Sequence, residues 1–385
     1  MAITTVRVTW ISIQRIDCIM KLTIALVIKD FVKTGGAEKY AVEIALRMKK
    51  RGHRIDLYAR NIDPSLTHGI NVFKIPNKLS FSSILSLYSF AKDSALLVKK
   101  KHYDIIHSHD KGCPGHVSTV HTFSFKRGIE HMSWLKKINE FIISPRAWLY
   151  LYLEGLQMKS DCLAAVSEII KTDIQSCHNR THGIDVIQPG VDIEVFCPAN
   201  LSSRRKTARS NAGLKHGELA VLFIGSEFRR KGLDHLIPAL SSDMKLFVVG
   251  RQERMEHYKK MVDFHGLNNR VIFTGLTDNV MEYYALSDVV VLPSIAEAFG
   301  MTVLEGMACG LPVITSREAG SSHLITTGKN GMVFDSPAQI TGMLEALKNE
   351  ATRKTMGNRA RETALQYTWE HAADLYERLY YSLAG

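Results

Sequence analysis

Two apolar runs of strand length, each followed by a glycine-bearing loop and a helical pattern, constrain this chain more than any other feature. The first is Lys21–Lys29 (KLTIALVIK) and the second, far downstream, is Leu219–Gly225 (LAVLFIG). A run without polar alternation is what a strand buried on both faces needs, and such strands belong to parallel sheets covered by helices. After Gly35-Gly36 a helix is expected, with Ala37, Tyr40, Ala41, Ile44, Ala45 and Met48 on one side. Gly52 stops it, and His53–Ala59 reads as the next strand. Further strands are expected at Tyr103–His107, Val117–His121, Asp161–Val166 and Ile184–Ile187. The polar, basic segment Cys197–Arg209, interrupted by Pro198, reads as the approach to a second domain.

After the second run the pattern restarts. A helix is expected over Gly232–Leu240, a strand at Lys245–Gly250 and a helix over Glu253–Phe264. Strands follow at Val271–Thr274 and Val289–Leu292, then a helix over Thr302–Cys309 and a strand at Pro312–Thr315. From Ala338 the chain reads as helical, with a break near Gln366-Tyr367. Strands alternating with helices give an α/β fold with two doubly wound parallel sheets of Rossmann-like type. A length of 385 residues suits two domains better than one. In open parallel sheets ligands bind beyond the carboxyl ends of the strands, so two such edges facing each other make a cleft for two substrates.

The formal net charge of +11 favours anionic partners, such as phosphorylated substrates or an anionic membrane surface. No zinc-finger spacing and no Lys/Arg-rich tail points to nucleic acid, which is not expected as a partner. The six cysteines are scattered without a CxxC pair, which argues for reduced thiols rather than a disulfide framework. No apolar run reaches membrane-spanning length. Residues 1–19 are a poor signal peptide, broken by Arg7, Gln14, Arg15 and Asp17, and are expected to be an extension outside a fold that begins at Met20. These features place the protein in the cytoplasm, with peripheral contact to the inner membrane as a further option.

Four strings carry chemistry. In SIAEAFGMTVLEGMACGLPVITS, Glu297 lies on a loop after a strand and Glu305 lies in the following helix. The backbone N–H groups between them open a helix, which is a ready anion site. A diphosphate there would bring a sugar near Glu297 and a ribose diol near Glu305. A bare pair of glutamates at this spacing fits solvated helix carboxylates equally well. In GSEFRRKGLDHLIPAL the cations Arg230 and Lys231 precede Gly232 and a helix, which suits a diphosphate leaving group or a mere basic cap. In KTGGAEKYA, Gly35 and Gly36 let backbone approach a ligand closely. In VSTVHTFSF, His121 ends a strand that should point at the cleft, and His107, His109 and Asp110 end the neighbouring one.

Taken with the ACGLPVI segment, the Glu-x7-Glu string resembles the signature of glycosyltransferase family 4, over essentially the whole chain from Met20. The resemblance implies the GT-B architecture, with an acceptor-binding domain at 20–193, a nucleotide-sugar-binding domain at 194–367 and a helix at 368–385 that packs back on the first domain. It implies catalytic roles for His121, Glu297 and Lys231. It assigns the donor to Gly35, Gly36, Arg230, Lys231, Phe299, Gly300, Met301 and Glu305. Glu38, His109, Asp110 and Asp192 are carried over as acceptor or hinge residues, and Trp369 as core. The commoner family pattern has Arg directly after the strand glycine, where this chain has Ser226, so that role passes to Arg230. The GS-x-F-x-RKG string resembles the branch that builds lipopolysaccharide core.

The implied reaction is transfer of a hexose, from UDP-glucose or a similar donor, to a hydroxyl of a lipid-linked or saccharide acceptor. The implied outcome is retention, by front-face attack, without a metal or other cofactor. In 126–159, Trp134, Phe141, Trp148, Tyr150 and Tyr152 interleave with Lys136, Lys137 and Arg146, which fits either a helix lying on anionic lipid or a half-buried long helix. Two other functions share parts of this pattern: a nucleotide-sugar epimerase of the same fold, and a two-lobed solute-binding protein.

Overall fold

The computed structural model describes residues 20–77, 81–130 and 144–384. The expected extension 1–19, and Trp134, Lys136, Lys137 and Phe141 of the aromatic-basic segment, lie outside the described residues.

The first sheet holds seven parallel strands: β1 Thr23–Val27, β2 Arg54–Ala59, β3 Asn71–Lys74, β4 Ile105–Ser108, β5 Val117–Val120, β6 Cys162–Ala165 and β7 Ile184–Val186. Their spatial order is 3-2-1-4-5-6-7. The second sheet holds β8 Leu219–Ile224, β9 Met244–Val249, β10 Val271–Gly275, β11 Val289–Leu292, β12 Val313–Ser316 and β13 Met332–Phe334, in the order 10-9-8-11-12-13. Both orders reverse beside the first strand of the sheet, between β1 and β4 and between β8 and β11. Such a switch point opens a crevice at the carboxyl edge.

The apolar runs fold as they do because each of their faces meets a helix layer. Along β1, Ile24 and Leu26 join the core on the side of the first helix, Gly36–Lys50. Ala25 and Val27 point the other way, against Tyr58, Phe90 and Val98. In β8, Ala220 and Leu222 face one core while Val221 and Phe223 face another. Each valine, leucine, isoleucine or phenylalanine among them contributes about 1.5–3 kcal/mol on full burial.

The structure departs from the sequence reading in four places. Pro198 does not interrupt a linker; it opens the helix Pro198–Asn211. The first helical position needs no N–H donor, so proline fits there. Arg205 and Arg209 of this helix grip the buried Asp288, with Arg209 Nη1 2.9 Å from its Oδ2. The helix expected over 232–240 is only Leu233–Leu236 followed by a 3₁₀ turn, Ile237–Ala239, because Pro238 cannot donate to a continuing helix. Segment 126–159 is not one long helix: Phe125–Glu130 is separate from Pro145–Gln157, which begins afresh with Ser144 as cap. The short strands β3 and β13 and the helices Ser83–Val98, Glu168–His178 and Val280–Leu286 escaped the sequence reading.

The last helix, Trp369–Ala384, returns to the first domain. Trp369 is buried edge-on against Tyr40, ring centroids 5.4 Å apart. Arg51 binds Glu377 at 2.8 Å and Asp374 at 2.6 Å. The outgoing crossing at 190–192 and the returning one at 367–369 run side by side, with Val191 N donating to Tyr367 O at 2.9 Å. Gly190 is required there, since a Cβ on it would lie 2.1 Å from the Trp369 nitrogen.

Candidate active site between the domains

A cavity of about 340 Å³ lies between the two carboxyl edges. The first domain lines it with Gly36, Ala37, Tyr40, His121 and Val166, and the second with Arg230, Lys231 and the loop 297–302. Two helix N-termini therefore meet there. Gly36 and Ala37 open Gly36–Lys50, while Gly300 caps the helix Met301–Ala308. First-turn N–H groups lack partners within their own helix and carry partial positive charge. A Cβ on Gly36 would find nothing within 4 Å, so the backbone is bare at this wall.

Cations add to that field. Lys231 Nζ lies 2.9 Å and Arg230 Nη1 3.1 Å from Glu297 Oε2. Burial pushes the Glu297 carboxyl up, but Lys231 and Arg230 outweigh it and hold the group below the ordinary carboxylate range. Arg230 loses charge preference to burial and regains more from Glu297 and Glu227, so its guanidinium sits above its ordinary value. Gly225 makes room for the lysine: a Cβ there would lie 2.2 Å from Lys231 Cδ. Among the described lining residues Glu297 is the one carboxylate, and two cations already claim it.

Glu305 lies deeper in the same helix. Its Oε1 accepts from Lys39 Nζ across the cleft at 3.3 Å, and its Oε2 accepts from the Tyr284 hydroxyl at 2.9 Å. Burial and then the nearby Glu305 charge hold that tyrosine well above its ordinary value. Ser167, cap of the helix Glu168–His178, donates to Ala298 O at 2.6 Å and ties the first domain to the loop beside Glu297.

Beneath His121 lies a buried polar network drawn from four distant segments. His107 bridges Tyr380 (Nδ1, 2.6 Å) and Thr119 (Nε2, 2.7 Å). Thr119 Oγ1 is 2.7 Å from the Tyr376 hydroxyl, which is 3.1 Å from that of Tyr40. A carbonyl can only accept, so the Tyr40 hydroxyl is the donor to Ile187 O, at 2.8 Å. Burial pushes the imidazoles of His107 and His121 down to about 3 and that of His109 well below its ordinary value, so all three stay neutral near pH 7.

Of the residues proposed from sequence, Gly36, His121, Arg230, Lys231, Glu297, Phe299, Gly300 and Met301 line the one cavity. Gly35 caps the first helix, and the Glu38 carboxylate lies against it. Glu305 stands behind the lining, and His109 behind His121 at 3.0 Å. Asp110 accepts from the Lys29 N–H at 2.5 Å, and burial raises its carboxyl to about 6. Asp192 is outside the cavity; exposed in the crossing, it accepts from the N–H groups of Glu194 and Val195, both at 3.1 Å. Sequence reasoning missed Tyr40, Lys39, Thr119, Tyr376 and Tyr380 as members of the site.

The profile described as "Glycosyltransferase Family 4" matches residues 34–195, and "Glycosyl transferases group 1" matches residues 204–363. An uncharacterized glycosyltransferase of Methanocaldococcus jannaschii is 27% identical over 368 residues, covering 88% of this chain and 92% of that one. The lipopolysaccharide glucosyltransferase WaaG of Escherichia coli is 23% identical, with 92% of this chain and 96% of that protein covered. A crystal structure of WaaG superposes with a TM-score of 0.78, at 23% identity, over 91% of this chain and 99% of that one. A crystal structure of Anabaena Alr3699/HepE in complex with UDP and glucose superposes with a TM-score of 0.73, at 20% identity, over 93% and 98%.

Proposed function

This chain is a glycosyltransferase of the GT-B fold, and we propose that it moves a hexose from a nucleotide sugar such as UDP-glucose to an acceptor hydroxyl with retention of configuration. One observation carries the reading: two helix N-termini and the Lys231–Arg230 pair converge on a single cavity between the domains. Preorganised donors of this kind act where charge develops, and here that is the departing diphosphate. Both cations meet Glu297; donor phosphate oxygens would compete for them and leave Glu297 to the sugar hydroxyls. Glu305 would accept from the ribose diol in place of Lys39. The front-face course is part of this proposal: Glu297, the one carboxylate among the described lining residues, is assigned to the sugar hydroxyls, which leaves the departing phosphate to accept the acceptor proton.

The acceptor side is read as a lipid-linked saccharide of lipopolysaccharide core, met at an anionic membrane surface. Support comes from the first domain, where the exposed Tyr88, Leu96 and Tyr152 line one surface hollow with the exposed Lys92 and Lys99. Among the described residues no helix is long and apolar enough to cross a membrane. Calorimetry against a panel of nucleotide sugars, followed by nucleotide release with rough lipopolysaccharide, tests the reading. Binding of one nucleotide sugar and acceptor-dependent release support it. Conversion of a nucleotide sugar without an acceptor, or no binding at all, defeats it. Sedimentation with anionic and neutral vesicles at low and high salt tests the surface: each basic residue adds about 1 kcal/mol that salt screens, so binding should need anionic lipid and fall with salt.

A further inference from the structure

We propose that His109 is a positioning residue that fixes the tautomer of His121, so that His121 presents an Nδ1–H donor to the sugar in the cleft. The proposal rests on reading the cavity as the donor-sugar site. His109 follows β4 and His121 follows the adjacent strand β5, and the two rings lie nearly parallel, with His109 Nδ1 3.0 Å from His121 Nε2. One of these two nitrogens must carry the shared proton. His109 itself is 5% exposed, and its other nitrogen, Nε2, is buried without a hydrogen-bond partner.

That orphan atom decides between the two arrangements. A neutral imidazole has one N–H and one bare nitrogen, and burial keeps both rings neutral. If His121 Nε2–H donated to His109, the His109 proton would have to sit on Nε2, as a buried donor without an acceptor. Orphaned buried N–H groups are rare and costly. If His109 Nδ1–H donates instead, the orphan is a bare ring nitrogen, which loses no donor, in a ring whose centroid lies 6.0 Å from that of Tyr40 and 4.2 Å from that of His107. His121 then accepts at Nε2 and carries its proton on Nδ1. His121 lines the cavity, and its Nδ1 is not among the buried unpaired nitrogens. His107 cannot serve in place of His109, because both its nitrogens are committed to Tyr380 and Thr119.

The test reads the proton directly. Long-range proton–nitrogen correlation spectra of the full chain, labelled with ¹⁵N-histidine, should show His121 neutral with Nδ1 protonated and Nε2 bare, assigned by loss of its signals in His121→Gln. An Nε2–H His121, or an imidazolium near pH 7, overturns the proposal. Two variants supply the functional arm. His109→Asn keeps an N–H donor near the Nδ1 position, whereas His109→Asp leaves only acceptors there. With UDP-glucose as donor, kcat should fall about 10-fold or more in the Asp variant relative to the Asn variant, with KM for UDP-glucose moving less. Equal kcat in the two folded variants overturns the positioning role. Should the Asp variant not fold, the wild-type spectrum and the recovery of kcat by Asn relative to His109→Leu still decide. A wild type that turns over no nucleotide sugar counts against the transferase reading, while the spectrum still judges the tautomer.

Discussion

Replacing Lys231 with methionine removes one positive charge from the cleft and keeps most of the stem that runs over Gly225. The ammonium lies 2.9 Å from Glu297 with its side chain 15% exposed, so it acts where water is largely excluded. Losing one such donor to a developing anion costs about 2–4 kcal/mol of transition-state stabilisation. At about 1.4 kcal/mol per factor of ten, kcat/KM should drop by about 30- to 700-fold. The fold should survive, because Arg230 still pairs with Glu297 at 3.1 Å. Steady-state nucleotide release reads the rate, and a thermal melt checks the fold. Wild-type kinetics in a folded Lys231→Met protein would show that this lysine does not meet the leaving group.

Glu305→Gln should weaken UDP binding by calorimetry more than it lowers kcat, while Glu297→Gln should do the reverse; equal effects of both changes would undo their assignment to ribose and sugar. Tyr376→Phe breaks the polar chain between Thr119 and Tyr40 and should cost about 1–3 kcal/mol in urea unfolding; an unchanged midpoint would mean the chain contributes nothing. Acid should destabilise the fold through its buried imidazoles. His107, held at about 3 by burial, stays neutral at pH 5, while an unfolded histidine near 6.5 binds a proton. Stability therefore falls as pH drops from about 6.5 towards 3, by about 2 kcal/mol at pH 5 for this residue. Asp110, raised to about 6, opposes part of that loss between about 6 and 4; equal or greater stability at pH 5 than at pH 7 in urea titrations would contradict the sum.

What could be read from the sequence was what is contiguous in it. β1 and β8 are legible because burial on both faces leaves their interiors, Ile24–Val27 and Leu219–Ile224, without a polar residue. The loop 297–301 and the Arg230-Lys231 pair are legible because one string carries its carboxylates and the other its cations next to a helix start. The strand β3 was not, since three of its four residues are exposed and no apolar pattern marks it. Pro198 misled because proline breaks helices almost everywhere except at their first turn. The network beneath His121 was illegible for a different reason. Tyr40 and Tyr376 sit at ordinary apolar positions of two amphipathic helices, and only the return of the last helix brings their hydroxyls together with Thr119. Lys39, likewise, reads as a solvated helix cation until the two domains face each other and it meets Glu305.

The stereochemistry of the product tests the central claim most directly. With UDP-glucose, an α-linked donor, and a saccharide acceptor, the anomeric proton of the new linkage can be read by NMR before any rearrangement. A cleft whose one carboxylate among the described lining residues is assigned to the sugar hydroxyls, beside a cationic diphosphate site, predicts an α-glucoside, made by attack on the face the diphosphate leaves. A β-glucoside would require a free general base on the opposite face and would contradict the account.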